Sequence, residues 1–283
     1  MINVAQEAHS YARFKNSKRQ LKRSLKSGVD PLQLKYLQIN SCDTNNPIAY
    51  RSFAIVDSVM VGHLGPREYV KAMEETDMGI RLAEWSVVEA FKHITQLVES
   101  GKNFKWLSVR CPVSLATEVD VYAWIKALIK KHDFKYQKKL CLEFSSDLLL
   151  ADERMARRTV LDMKLLGIKT MVSNCGRSTC PTSQFLKIPA DMAMLAPDIT
   201  KWTGSRNKPN FINTLIPYLS SMRVEVYAAG LVYDEQIRLL NRVDCVGYSV
   251  VGDYRGKQNI CGKLISFEKL LAQKNETEED SFA

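Results

Sequence analysis

From residue 34 to residue 250, short apolar runs alternate with stretches whose apolar side chains recur every three or four positions. The first pattern is that of strands and the second that of amphipathic helices. Residues 34–41 and 49–60 read as two strands. Asp43-Thr44-Asn45-Asn46-Pro47 lies between them and is rich in turn formers, which predicts a hairpin. After Pro66 the spacing turns helical. Tyr69, Ala72 and Met73 share one face, and Leu82, Trp85, Val88 and Val98 continue in a second, longer helix. From there the pattern predicts strands at 106–113, 140–145, 168–173, 191–195, 224–229 and 245–250. Helices are predicted at 119–132, 153–166, 211–222, 234–241 and 264–273, with a short one at 183–187. Ahead of the hairpin, residues 5–26 read as a helix ended by Gly28 and Pro31.

Repeated strand–helix units call for parallel strands covered by helices. Eight strands in one chain of 283 residues, 46% of them hydrophobic, favour one closed barrel over an open doubly wound sheet, which stays as the alternative. The opening hairpin requires at least one antiparallel pair. No run of about eighteen apolar residues is present, and the first ten residues lack the apolar stretch of a signal peptide. Seven cysteines are scattered without a framework spacing. They read as reduced, mostly buried thiols of a cytoplasmic protein. The net charge of +9 is concentrated in Arg13 to Lys26, which holds seven basic residues and no acid. That stretch is either a solvated helix face or a surface for an acidic partner, anionic lipid or nucleic acid. No nucleic-acid motif supports the last of these.

Three strings carry a family resemblance: LGPREYVKAMEETD at Leu64 to Asp77, LEFSSD at Leu142 to Asp147, and Ala228-Ala229-Gly230 followed by Asp234-Glu235-Gln236. In their shared order and spacing, from about Leu34 to Gly256, they resemble the EAL domain of cyclic-di-GMP phosphodiesterases. The resemblance implies an α/β fold, a modified TIM-type (β/α)8 barrel with one antiparallel strand. It also implies two divalent metals held at the carboxyl ends of the strands by carboxylates and an asparagine. Counted from Pro66, the glutamate of the family's namesake motif falls on Arg51, and the arginine that follows falls on Ile55. The asparagine ligand falls on Arg110. The first glutamate of the next strand is kept as Glu143, while the second falls on Ser146. The paired aspartates fall on Ser173 and Asn174, the lysine on Met194, and the two later glutamates on Ala229 and Val232. Gln38 matches a substrate-contacting glutamine of the first strand.

One carboxylate cannot hold two divalent cations, and Arg51 and Arg110 add positive charge where metal would enter. An arginine does not deprotonate to relieve this. The expectation is therefore a catalytically inactive EAL-like domain without metal or cofactor, acting as a signalling or regulatory module that binds another protein. The alternative is a receptor that binds cyclic-di-GMP or another anion without cleaving it, through a vestigial pocket of Gln38, Arg51, Arg110, Glu143 and Asn174. A phosphodiesterase with a rebuilt ligand set is the third reading. Arg51 pairing with Glu143 is an expected contact. A homodimer is compatible with the resemblance. The expected division is a basic helix and linker at 1–31, the barrel at 32–273 and a disordered acidic tail at 274–283. Cys175 and Cys180, four residues apart in between, lack the His or second Cys pair that zinc would need. The histidines His9, His63, His93 and His132 share no ligand spacing.

Overall fold

The computed structural model describes residues 32–58, 62–64, 78–177, 179–201, 211–256, 260 and 262–273. The basic stretch at 13–26, the helix predicted around Tyr69 and the acidic tail lie outside the described residues. Strands β1 (Leu32–Ser41) and β2 (Pro47–Ser58) form the expected hairpin. Its turn is built locally. The Ser41 hydroxyl accepts from the amides of Asp43 and Thr44 at 3.2 and 3.4 Å, and Asn45 takes a left-handed backbone with φ 61°. Asparagine is one of the few residues that enters that region readily.

A short β3 (Gly62–Leu64) adds to β2 in antiparallel fashion, and three residues are too few for periodicity to have shown it. Strands β4 (Leu107–Arg110), β5 (Leu140–Ser145), β6 (Lys169–Cys175), β7 (Met192–Leu195), β8 (Glu225–Leu231) and β9 (Gly247–Val250) follow. All pair in parallel from β2 through β9. Strand β1 closes the ring, antiparallel to both β2 and β9. The result is a closed barrel of eight strands with one reversed, and β3 pairs with the carboxyl-terminal end of β2.

Helices cover the barrel: α1 (Met78–Glu99), α2 (Val113–Glu118), α3 (Val121–Lys131), α4 (Glu153–Leu165), α5 (Pro197–Thr200), α6 (Ile212–Ser221), α7 (Asp234–Asn241) and α8 (Phe267–Ala272). Helix α1 buries Leu82, Ala83, Ser86, Val87, Ala90, Phe91, Ile94 and Leu97 at helical spacing. The segment predicted as one helix at 119–132 is in fact preceded by the separate α2. Val119 breaks the two, and the Asp120 carboxylate caps α3 by accepting from the Ala123 amide at 3.0 Å.

Alternation along each strand splits the core in two. Outward side chains such as Tyr36, Tyr50, Val109, Phe144 and Val226 pack against the helices. Inward ones, Ile39, Ala49, Trp106, Cys141, Met171, Met192, Met194, Tyr227 and Ala229, fill the barrel. Trp106 and Tyr227 meet edge to face with ring centres 5.3 Å apart, and the indole N–H donates to the phenol oxygen at 3.2 Å. The Tyr227 hydroxyl donates to Glu225 at 2.8 Å, toward the amino-terminal end of the barrel. This packed floor leaves the carboxyl-terminal end as the place for polar side chains.

Candidate functional site at the mouth of the barrel

Register decides which residues share the mouth. Arg51 on β2 stands beside Ser108 on β4, and Arg110 on β4 stands beside Glu143 on β5. All four alternate onto the inward face. Arg51 donates from Nε to Glu143 Oε2 at 2.9 Å and from Nη2 to Oε1 at 2.5 Å, a two-point fork. The Ser108 hydroxyl donates to Glu143 Oε2 at 3.1 Å. Glu143 is 2% exposed and Arg51 9%. The guanidinium also lies over the Phe53 ring at 5.3 Å. Burial alone would raise the Glu143 carboxyl. The charge and hydrogen bonds of Arg51, the charge of Arg110 and the Ser173 hydroxyl outweigh it, and the group is held below its ordinary value.

The remaining expected residues distribute unevenly. Ser173 faces Glu143, and Asn174 follows it at the end of β6 with a left-handed φ of 62°. Met194 and Ala229 are buried in the interior apolar cluster. Ser146 opens a short 3₁₀ turn above β5, and the Val232 amide is taken by the Gln236 side chain at 2.7 Å. Gln38 does not join the group. It pairs with Tyr50, shares the helix-facing side of β1 with Tyr36, and donates to Gln273 Oε1 at 3.1 Å. Its place in the pocket is corrected accordingly. The strand period is two, and an assignment one residue off turns a side chain to the other face. Lys35 takes the inward face instead, opposite Phe53. The sequence reading missed it, although the alternating apolar Leu34 and Tyr36 mark the helix side and leave Lys35 inward. Ser108 was missed for want of any motif around it.

A family model for the EAL domain matches residues 18–257. The chain belongs to the EAL domain family. The cyclic di-GMP phosphodiesterase PdeR of Escherichia coli (strain K12) is 17% identical over 174 residues. That match takes in 60% of this chain and only 26% of that protein's length. Among solved structures, the EAL enzyme Bd1971 in its cGMP-bound form superposes with a TM-score of 0.79 at 15% identity, over 95% of this chain and 71% of that one. The PaMucR phosphodiesterase in complex with c-di-GMP superposes with a TM-score of 0.78 at 13% identity, over 90% and 99%. The FimX EAL domain from Pseudomonas aeruginosa bound to c-di-GMP gives 0.71 at 12% identity, over 83% and 93%. At these identities the likeness concerns the fold.

The mouth of this EAL domain can be tested for the two divalent ions that the resemblance implies. Hard cations need several oxygen donors, mostly carboxylates. The inward side chains here are guanidinium, ammonium, hydroxyl and thioether groups around Glu143, and both oxygens of Glu143 are engaged by Arg51. Among the described residues no group of three or more His, Cys, Asp or Glu could hold a metal ion. The donor set does not fit two divalent ions. What it can do is present positive charge: Lys35, Arg51 and Arg110 share the inward face with Glu143.

Proposed function

We propose that this EAL domain binds a cyclic dinucleotide, or another anion of the same phosphate chemistry, at the mouth of the barrel and does not cleave it. The observation that carries the reading is the gathering of three cationic side chains, Lys35, Arg51 and Arg110, on the inward face near the mouth, with Arg51 held by Glu143. A guanidinium fixed by a two-point pair keeps its remaining N–H groups directed, and the planar fork suits phosphate oxygens. Arg110 and Lys35 add positive charge on the same inward face. The fold neighbours add support, since the PaMucR and FimX structures carry c-di-GMP. In this reading Arg51 and Arg110 orient the phosphates, Phe53 and the apolar floor exclude water, and Ser108 and Ser173 hold Glu143 in place.

The sequence reading ranked a protein-binding module first. One observation favours it as a second reading: Leu150 and Leu186, 61% and 69% exposed, sit on two short 3₁₀ turns that touch each other near the mouth. The two roles are compatible, because a partner docked there would stand beside the pocket.

Calorimetric titration of the full chain with cyclic-di-GMP tests the receptor reading. Binding is expected to weaken as salt rises, and Arg110→Ala is expected to weaken it at least about tenfold, the equivalent of roughly 1.4 kcal/mol. A flat response to cyclic-di-GMP, cyclic-di-AMP and pyrophosphate would remove this reading and leave the protein-binding one.

A further inference from the structure

The turn after β6 holds chemistry that the pocket does not use. Asn174 and Gly176 both take left-handed backbone, φ 62° and 89°, on either side of Cys175, so the chain reverses as the strand ends. A side chain at 176 would press on Leu215 Cδ2 at 3.1 Å and Ile199 Cγ1 at 3.2 Å, and glycine keeps the reversal tight. The ends of the turn are pinned. The Ala196 amide donates to the Cys175 carbonyl at 2.9 Å, Arg177 pairs with Asp198 at 2.8 Å, and the Cys180 amide donates to the Arg177 carbonyl at 2.9 Å. The Cys175 thiol donates to the Val172 carbonyl at 3.3 Å, and across this turn the Cys180 thiol comes close enough to Cys175 for each to shift the other's titration. Cys175 is buried and Cys180 is partly open to solvent.

We propose that Cys175 and Cys180 form a peroxide-sensitive dithiol that closes reversibly to a disulfide at the rim of the barrel mouth. The oxidant is hydrogen peroxide, and a thiol reductant reopens the bond. The Cys180 thiolate attacks one peroxide oxygen. An S–O bond forms, the O–O bond breaks, and hydroxide leaves a sulfenic acid on Cys180. The Cys175 sulfur then attacks the Cys180 sulfur. The S–S bond forms, the S–O bond breaks, and the departing hydroxide takes the Cys175 proton as water. Both sulfurs are oxidised by one electron each, and the peroxide is reduced by two.

The environment suits this order of events. The neighbouring Cys175 thiol lowers the Cys180 thiol most. Burial opposes it, the Gly176 backbone assists, and Asp147 opposes weakly. The outcome is a thiol lowered to about 7. A thiol in that range is substantially thiolate at neutral pH, and the thiolate is the nucleophile. A second pair makes the contrast. Cys42 lies beside Cys245, whose thiol donates to the Val226 and Gly247 carbonyls, but both cysteines are buried, and the neighbouring thiol and burial drive the Cys42 thiol up. Ser173 lies two residues before Cys175 and touches Glu143, so the disulfide would fix the strand end that borders the ion pair.

The test uses the full reduced chain, exposed to hydrogen peroxide, alkylated, and digested with trypsin without reductant. Cleavage after Lys169, Arg177 and Lys187 places the two cysteines in separate peptides, 170–177 and 178–187. The expected product is these peptides joined, two hydrogens lighter than their sum, and separated by dithiothreitol. Cys180→Ser is expected to lose the product and Cys42→Ser to keep it. In Cys175→Ser, dimedone is expected to trap the sulfenic acid on Cys180. Should a variant fail to fold, the wild-type peptide masses decide alone. Cys180 carried to sulfinic acid without cross-link, a cross-link to any other cysteine, or no change under peroxide would each overturn the proposal. None of these readouts involves a ligand, so the result is independent of the receptor reading.

Discussion

A carboxylate as buried as Glu143 stays ionised because Arg51 meets both of its oxygens and Ser108 supports one. Removing one member strands the other, which is the expensive way to break a buried pair. Arg51→Ala is expected to lower stability by about 3–5 kcal/mol, whereas Arg51→Met combined with Glu143→Leu should recover most of that loss. Urea denaturation of the three proteins measures both, and an Arg51→Ala midpoint equal to wild type would contradict the account. The same pair sets a pH dependence. The folded Glu143 carboxyl lies below its ordinary value near 4.5, so the unfolded chain takes up the proton first. The stabilisation is therefore fully present above about pH 4.5 and is lost as pH falls through the lower folded value. Urea midpoints between neutral and acidic pH should fall more steeply for wild type than for Glu143→Gln. At this scale the sequence was informative where a register ran without gaps. Arg51 and Glu143 are 92 residues apart, yet both were placed on the mouth and paired with each other. Gln38 was not, because a single step along β1 separates the pocket side from the helix side.

The elements were legible wherever two signals coincided. Apolar runs flanked by turn formers gave the hairpin and the six later strands of the ring, and α7 begins and ends where its pattern does. The signal failed where a polar contact overrides periodicity. The helix predicted at 119–132 stands two residues shorter at its start, where Asp120 caps it, but α2 at 113–118 was missed, its few apolar residues directly following a strand. Strand ends were also misjudged in both directions: backbone pairing continues past the apolar run at Asn174 and Cys175 of β6, and stops at Arg110 of β4, short of the predicted end at 113. The contact of β8 with α5 shows how close elements fix single residues. Gly230 has φ 80°, and a Cβ there would lie 2.8 Å from Pro197 Cβ. The Thr200 hydroxyl of α5 donates to the Ala229 carbonyl, and the Gln236 side chain of α7 donates to the Thr200 carbonyl at 2.8 Å. A methyl group at 230 must push α5 away and disturb both bonds. Gly230→Ala is therefore expected to cost about 1–3 kcal/mol from backbone strain alone. Its thermal midpoint should fall clearly below that of wild type, and an unchanged midpoint would mean that α5 shifts freely.

For the whole molecule, positive charge lies both ahead of the barrel and on it. Seven of the basic residues lie in Arg13 to Lys26, and removing them from the net charge of +9 leaves +2. That remainder includes the acidic tail at 274–283, with a net −3, and also Glu7 and Asp30, so the barrel at 32–273 itself carries a net +7, and its general attraction for an anion adds to that of the side chains at the mouth. Those same side chains argue against phosphodiester cleavage. Hydrolysis by two metals needs carboxylates to hold the ions and a bound water lowered toward neutral pH. Glu143 alone is spent on Arg51, and the neighbouring inward positions carry Arg110, Ser173, Met194 and Ala229. Losing a single charge-stabilising donor typically costs about 10²–10³ in rate, and here nearly a full set would be missing. We therefore expect no turnover of cyclic-di-GMP above background with Mg²⁺ or Mn²⁺ in a product assay by chromatography. Arg51→Glu should not create it. That change would set two carboxylates side by side, raise the affinity of one for a proton, and still leave Arg110 beside them. Metal-dependent turnover by the wild-type chain that vanishes in Glu143→Gln would sink this expectation, since it would require Glu143 to leave Arg51 for a metal.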